Sequence, residues 1–213
     1  VVDFWNELFL FVSQNATPHL GALAFRAPST RIHTGPVNPA EPPAAEPSRK
    51  IKRKVCMLGT FAVGKTSLIR RYVRGVFDEK YLTTMGAKVD KKNVRVADVG
   101  VDLLLWDLNG EDRFQALSME YARGAAGYLL VIDRTRPATL EAAHALQQKV
   151  LHAVGPLPFI VLVNKSDLPG HWDRQPGDLD ALRAGGWVFV ETSARTGTGV
   201  DEAFMSLASR LID

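Results

Sequence analysis

From residue 51 onward, short apolar runs alternate with longer stretches in which apolar positions recur every three or four residues. Val55–Leu58 is an apolar run ending in Gly59, and a helical spacing follows through Ser67, Leu68, Ile69 and Tyr72. Val89–Val96 places Val89, Lys91, Val94 and Val96 in an apolar/polar alternation that predicts a strand with one wet face. Val101–Trp106 and Gly127–Ile132 are strand candidates rich in branched residues, and Phe159–Val163 and Trp187–Val190 are two more. Pro137–Val154 is rich in alanine and leucine, with Pro137 at its start, and predicts a helix. Val200–Leu211 predicts a closing amphipathic helix. Strands separated by helices of this length imply parallel crossovers, hence an α/β sheet covered on both faces.

The first fifty residues break the pattern. Seven prolines (Pro18, Pro28, Pro36, Pro39, Pro42, Pro43 and Pro47) fall there, out of 12 in the chain. Proline, alanine and glutamate dominate residues 36–47 and leave little to bury, so residues 1–49 read as a proline-rich N-terminal extension and 50–213 as the globular domain. Val1–Val12 is apolar, but Asp3 and Glu7 interrupt it, and it lacks the basic flank and prompt cleavage site of a secretory signal. A non-native or mis-started extension is the favoured reading of this opening, and a peripheral amphipathic anchor or partner-binding segment the alternative. Apolar residues at 46% and charged residues at 23% are ordinary for a globular protein. One cysteine, Cys56, excludes a disulfide framework, and the absence of a long apolar run argues against a membrane span. A net charge of +3 is too small to argue for a nucleic-acid partner. These features favour a cytoplasmic monomer, with peripheral membrane contact through the basic run Arg49–Lys54 as a minor alternative.

Candidate chemistry lies at the ends of the predicted strands. Gly59-Thr60-Phe61-Ala62-Val63-Gly64-Lys65-Thr66 fits the pattern of a phosphate-binding loop between a strand and a helix. Its glycines let the backbone wrap closely around phosphates, so that N–H groups and the positive end of the helix point inward. Lys65 can reach the β- and γ-phosphates, and the Thr66 hydroxyl can ligate Mg2+. The apolar run Leu103–Trp106 ends in Asp107, a carboxylate placed to hold the same ion, and Gly110 three residues on can offer its N–H to the γ-phosphate. After the strand Phe159–Val163 comes Asn164-Lys165-Ser166-Asp167. The Asp167 carboxylate can accept from guanine N1–H and the exocyclic amine, whereas adenine opposes it with an acceptor. Asn164 can tie neighbouring loops together, and the segment Thr192-Ser193-Ala194-Arg195 can donate a backbone N–H to guanine O6.

Together these motifs resemble those of the Ras superfamily of small GTPases, most closely the Rab-like branch, over Lys50–Asp213. The resemblance implies a phosphate-loop NTPase fold: a six-stranded, mostly parallel sheet with one antiparallel strand and helices on both faces. It implies a GTP/GDP switch that hydrolyses GTP with Mg2+. Phe77–Gly86 is similar to the first switch, with Phe77 and Tyr81 as nucleotide contacts and Thr84 closing on the ion and γ-phosphate. Trp106–Phe114 is similar to the second switch, and the likeness implies that Lys65, Thr84, Gly110 and Glu111 form the catalytic set. By the same likeness Ala62, Val63, Gly64 and Ser67 contact the phosphates, and Lys165, Ser193, Ala194 and Arg195 surround the base. Effectors, exchange factors and activating proteins are expected to read residues 77–121, with Val89, Trp106 and Tyr121 in place of an aromatic triad. The chain departs from the family in four ways. Glu111 stands where glutamine is usual, Asn109 replaces alanine, Phe61 fills a position normally kept small, and no cysteine near Asp213 offers a prenylation site. Glu111 and Asn109 suggest slow intrinsic hydrolysis, Phe61 obstructs an arginine supplied in trans, and the three together suggest, as an alternative function, a GTP-bound interaction module with negligible turnover. A phosphate-loop kinase or ATPase fares worse, because Asp167 has no role with adenine.

Overall fold

The computed structural model describes residues 46–78, 86–108, 120–169 and 176–212. Within them lie six strands: β1 (Arg49–Leu58), β2 (Ala87–Val96), β3 (Val99–Leu108), β4 (Gly127–Asp133), β5 (Phe159–Asn164) and β6 (Phe189–Glu191). Four helices accompany them: α1 (Lys65–Arg74), α2 (Ala138–Val154), α3 (Pro176–Ala184) and α4 (Val200–Ser209). The strands form one sheet in the order β2-β3-β1-β4-β5-β6. Only the β2–β3 pair is antiparallel. The remaining neighbours run parallel, as crossovers through helices require.

Each face of the sheet carries its own apolar core. On one, Leu68, Ile69 and Tyr72 of α1 and Phe204 and Leu207 of α4 pack on Val55, Met57, Val101 and Leu103. On the other, Ala143, Leu146 and Val150 of α2 and Leu179 of α3 cover Cys56, Leu130, Ile132 and Val161. Because β4 and β5 are buried on both faces, their sequences read as nearly unbroken apolar runs. β2, at the edge, keeps the polar alternation that marked it in the sequence.

The differences from the sequence-based expectations have local causes. β1 begins at Arg49, well before its apolar stretch, because Arg49–Lys54 pairs with Val99–Leu104 of β3. Six residues dominated by lysine and arginine do not read as a strand, since these types are poor markers of a pleated, half-buried surface. The last strand is Phe189–Glu191 rather than Trp187–Val190: the Trp187 N–H donates to Leu182 O and closes the turn after α3. α3 itself was not anticipated, although Pro176 at its first position is a helix-start signal. α4 ends at Ser209, and Leu211, turned back through its N–H to Ala208 O, still fills the core.

Candidate functional site

The carboxyl ends of β1, β3, β4 and β5 lie side by side, and the loops that leave them form one cluster. The loop after β1 bends through Ala62 at φ 61° and Gly64 at φ 100°, and α1 starts at Lys65. A side chain at position 59 would run into Val131 O, and one at position 64 into the Asn164 amide, so both places require glycine. Lys65 is buried, and its ammonium donates to Gly59 O (2.9 Å) and Thr60 O (3.0 Å). Burial pulls the pKa of Lys65 down to about 8, and the Asp107 carboxylate opposes this pull. Ser67 follows Thr66 in the first turn of α1, and Val63 is fully buried beneath the loop.

The Thr66 hydroxyl donates to Asp107 Oδ2 at 2.6 Å, joining the start of α1 to the end of β3. A hydroxyl and a carboxylate converging beside a phosphate loop make a hard-oxygen donor pair, which suits Mg2+ better than a softer metal. Among the described residues no cluster of three or more His, Cys, Asp or Glu competes for that role. Thr66 and Asp107 therefore fit as protein ligands of an ion that would neutralise charge on the phosphates.

Asn164 holds three loops together. Its Nδ2 donates to Val63 O (2.8 Å), and its Oδ1 accepts the Ala194 N–H (3.2 Å). Lys165 adopts φ 67°, an uncommon left-handed conformation for a lysine. Asp167 accepts the Ser193 hydroxyl at 2.7 Å, and the Arg195 guanidinium lies 4.0 Å from its other oxygen. The Thr196 N–H in turn donates to Ser193 Oγ, so the hydroxyl that orients Asp167 is itself fixed. Phe77 is half-buried and packs against the core on the α1 side. Tyr81, Thr84, Gly110 and Glu111, and Asn109 beside them, lie outside the described residues.

Two anchors went unread in the sequence. Asp133, at the end of β4, has no exposed side-chain surface and accepts from Lys165 Nζ (2.6 Å), Arg136 Nε (2.8 Å) and the Thr135 hydroxyl (2.7 Å). Arg136 also donates to Phe61 O at 2.9 Å, so Asp133 and Arg136 link the loop that carries Lys165 to the Gly59–Thr66 loop. The signal was available, because Asp133 ends an apolar strand just as Asp107 does. Arg71, one turn beyond the phosphate loop, donates to Ala194 O (2.8 Å) and to Arg195 O. Nothing in its local sequence distinguishes it from the solvated arginines nearby.

A parallel sheet, a glycine loop feeding a helix, a buried lysine and a threonine–aspartate pair define a phosphate-loop nucleotide-binding protein. Residues 54–213 match the Ras family. The chain is 35% identical to the Ras-related protein Rab-7b of Bos taurus over 177 residues, covering 78% of this chain and 85% of that protein. It is 33% identical to mouse (Mus musculus) Rab-7b over 170 residues, with the same coverage. To Arabidopsis thaliana RABG3b it is 34% identical over 168 residues, covering 75% and 83% of the two chains. The chain belongs to the Ras family and is Rab-like within it. It is a small GTPase that binds GTP and GDP with Mg2+, hydrolyses GTP and acts as a nucleotide-dependent switch with regulator and effector partners. The alternative of an interaction module without turnover finds no support in this kinship. Among the described residues no helix is long and apolar enough to cross a membrane.

Proposed function

We propose that GTP lies across the loop cluster, its phosphates in Gly59–Thr66 and its base between Asn164–Asp167 and Ser193–Arg195. In this reading the backbone N–H groups of Ala62, Val63, Gly64, Lys65, Thr66 and Ser67 face the phosphates, and the Lys65 ammonium balances their charge. Asp167 reads the base edge, Ala194 supplies the N–H for guanine O6, and Lys165 and Phe77 flank the ring. Tyr81, Thr84 and Gly110 approach the γ-phosphate from the switches, and Thr84 joins Thr66 and Asp107 around the ion. Asn164, bonded to both Val63 O and the Ala194 N–H, is the observation that chiefly supports a single site spanning phosphate and base.

Partners read residues 77–121 in this account, with release of Thr84 and Gly110 after hydrolysis as the signal. Intrinsic hydrolysis is slow because the Glu111 carboxylate is repelled by the γ-phosphate, and stimulation in trans is weak because Phe61 crowds the approach of an arginine from outside. The test is single-turnover γ-phosphate release and competition between GTP and ATP on the full chain. Asp167→Asn should erode the preference for guanine over adenine at least about 100-fold, since the carboxylate supplies two acceptor positions to that base edge. An unchanged preference rejects the base assignment. Glu111→Gln should accelerate release, and a rate equal to or below that of the native chain rejects the reading of position 111.

A further inference from the structure

Two side chains from other parts of the chain hold carbonyls of the loop Gly59–Thr66. Asn164 Nδ2 donates to Val63 O at 2.8 Å, and Arg136 Nη2 donates to Phe61 O at 2.9 Å. The C=O and N–H of one trans peptide point in opposite directions. A donor that fixes a carbonyl on one side of the loop therefore fixes the next residue's N–H on the other. Asn164 does this for the N–H of Gly64, and Arg136 does it for the N–H of Ala62.

The Phe61–Ala62 peptide needs the restraint more than its neighbour. Ala62 sits at φ 61°, in the left-handed region, where its Cβ crowds the backbone. Turning that peptide over, by about 180° in ψ of Phe61 and φ of Ala62, would carry Ala62 to a φ of about −120°, ordinary β backbone. The methyl group of Ala62 thus favours the opposite orientation, with the N–H and the Phe61 carbonyl exchanging sides. Gly64, at φ 100°, has no Cβ to relieve.

Arg136 is itself held firmly enough to resist this turn. Its Nε donates at 2.8 Å to Asp133 Oδ2, on a side chain with no solvent exposure. Its carbonyl accepts the N–H (2.9 Å) and the hydroxyl (2.7 Å) of Thr139 at the start of α2. Backbone and side chain are both pinned, and the bond to Phe61 O is charge-assisted. The same Asp133 oxygen accepts Lys165 Nζ at 2.6 Å, and Lys165, at φ 67°, is also left-handed. One buried carboxylate thus restrains two strained positions, Lys165 directly and Ala62 through Arg136.

We infer that Arg136 is a positioning residue for nucleotide binding: by holding the Phe61 carbonyl away from the phosphates it keeps the Ala62 N–H aimed at them, against the preference of the Ala62 side chain. The inference rests on the reading that the Ala62 N–H faces the phosphates. A chain in which this peptide is turned over for part of the time binds nucleotide more weakly, in proportion to the fraction left competent. A hydrogen bond to the carbonyl also polarises the peptide and makes its N–H the better donor.

The test measures the GDP affinity of the full chain, from association and dissociation rates, in Arg136→Gln, Arg136→Lys, Ala62→Gly and the double variant Ala62→Gly/Arg136→Gln. Arg136→Gln should weaken GDP binding at least about tenfold. Arg136→Lys should lose about as much while keeping native stability in urea, because one ammonium can serve Asp133 but cannot fork between Asp133 and Phe61 O. In the Ala62→Gly background the loss on Arg136→Gln should shrink to about threefold or less, since glycine takes either orientation without strain. A contact that merely supports the fold would cost the same in both backgrounds. In the GDP complex of Arg136→Gln the Ala62 amide proton should move upfield, while that of Gly64, braced by Asn164, stays in place. Equal losses in the two backgrounds, or native GDP affinity in both Arg136 variants, overturns the inference. Lys65→Ala separates it from the reading beneath it. If Lys65→Ala abolishes GDP binding while the Arg136 variants keep native affinity, the brace alone fails; if Lys65→Ala also keeps native affinity, the phosphate assignment fails with it.

Discussion

Asp133 is surrounded by donors from three residues and reached by no solvent. Burial alone would raise the pKa of its carboxyl, but hydrogen bonds from Lys165, Thr135 and Arg136 outweigh that effect and hold it below the ordinary value. A carboxylate with a depressed folded pKa stabilises the fold above its unfolded value of about 3.9, and that contribution is lost as pH falls through the folded value. Asp133→Asn should cost about 2–4 kcal/mol at pH 7, because two cations lose a buried partner. Urea denaturation should show the gap between native and variant chains narrowing below about pH 4. GDP dissociation from the variant should also speed up, since Lys165 loses its anchor. Cys56 behaves in the opposite sense: burial pushes its thiol up to about 11, with Lys54 opposing. It is therefore a neutral thiol at pH 8 and is expected to resist iodoacetamide until the chain unfolds. Labelling at the rate of a free thiol in the folded protein would refute this.

At the scale of elements, α1 is held from two sides. Tyr72 stacks on Phe204 of α4 with ring centroids 3.9 Å apart, and Arg71 reaches across to the carbonyls of Ala194 and Arg195. Phe204 is 1% exposed, so Phe204→Ala should cost about 3–5 kcal/mol in thermal or denaturant unfolding and loosen the helix whose start forms the phosphate loop. Arg71→Lys keeps the charge but loses the planar fork that meets two carbonyls. It should raise the GDP off-rate with little change in overall stability, and an unaltered off-rate would show that Arg71 does not steady the base-side loop. The strands and helices with strong periodicity, such as β4, β5 and α2, were legible in the sequence because their burial leaves an unbroken or amphipathic apolar pattern. The basic half of β1 was not, because its pairing comes from register with β3 rather than from its own side chains. Among the described side chains of α3, Leu179 and Leu182 pack on the core, too few apolar positions for a clear helical period.

For the whole molecule, the loop cluster was legible where local chemistry and spacing coincide, as at Gly59–Thr66 and Asn164–Asp167. It was illegible where function depends on contacts between distant parts of the chain. Arg71 to Ala194 spans 123 positions and Arg136 to Phe61 spans 75, and no short pattern can encode such partners. The same long-range contacts make the site a joint product of four strand ends. Lesions at Arg71 or Asn164 should consequently appear first in nucleotide residence time rather than in loss of fold.

Arg49 and Arg53 at the start of β1 donate to the carbonyls of Ile212 and Leu211. These contacts draw the two ends of the domain together at the pole opposite the nucleotide loops. A domain sewn shut in this way invites circular permutation: a short peptide bridge from Ile212 to Ser48, with new termini opened in a surface turn such as the one around Gly155, leaves every strand register intact. Handles for immobilisation or fluorescence placed on such a bridge would likewise stand clear of the loop cluster at the carboxyl ends of the strands.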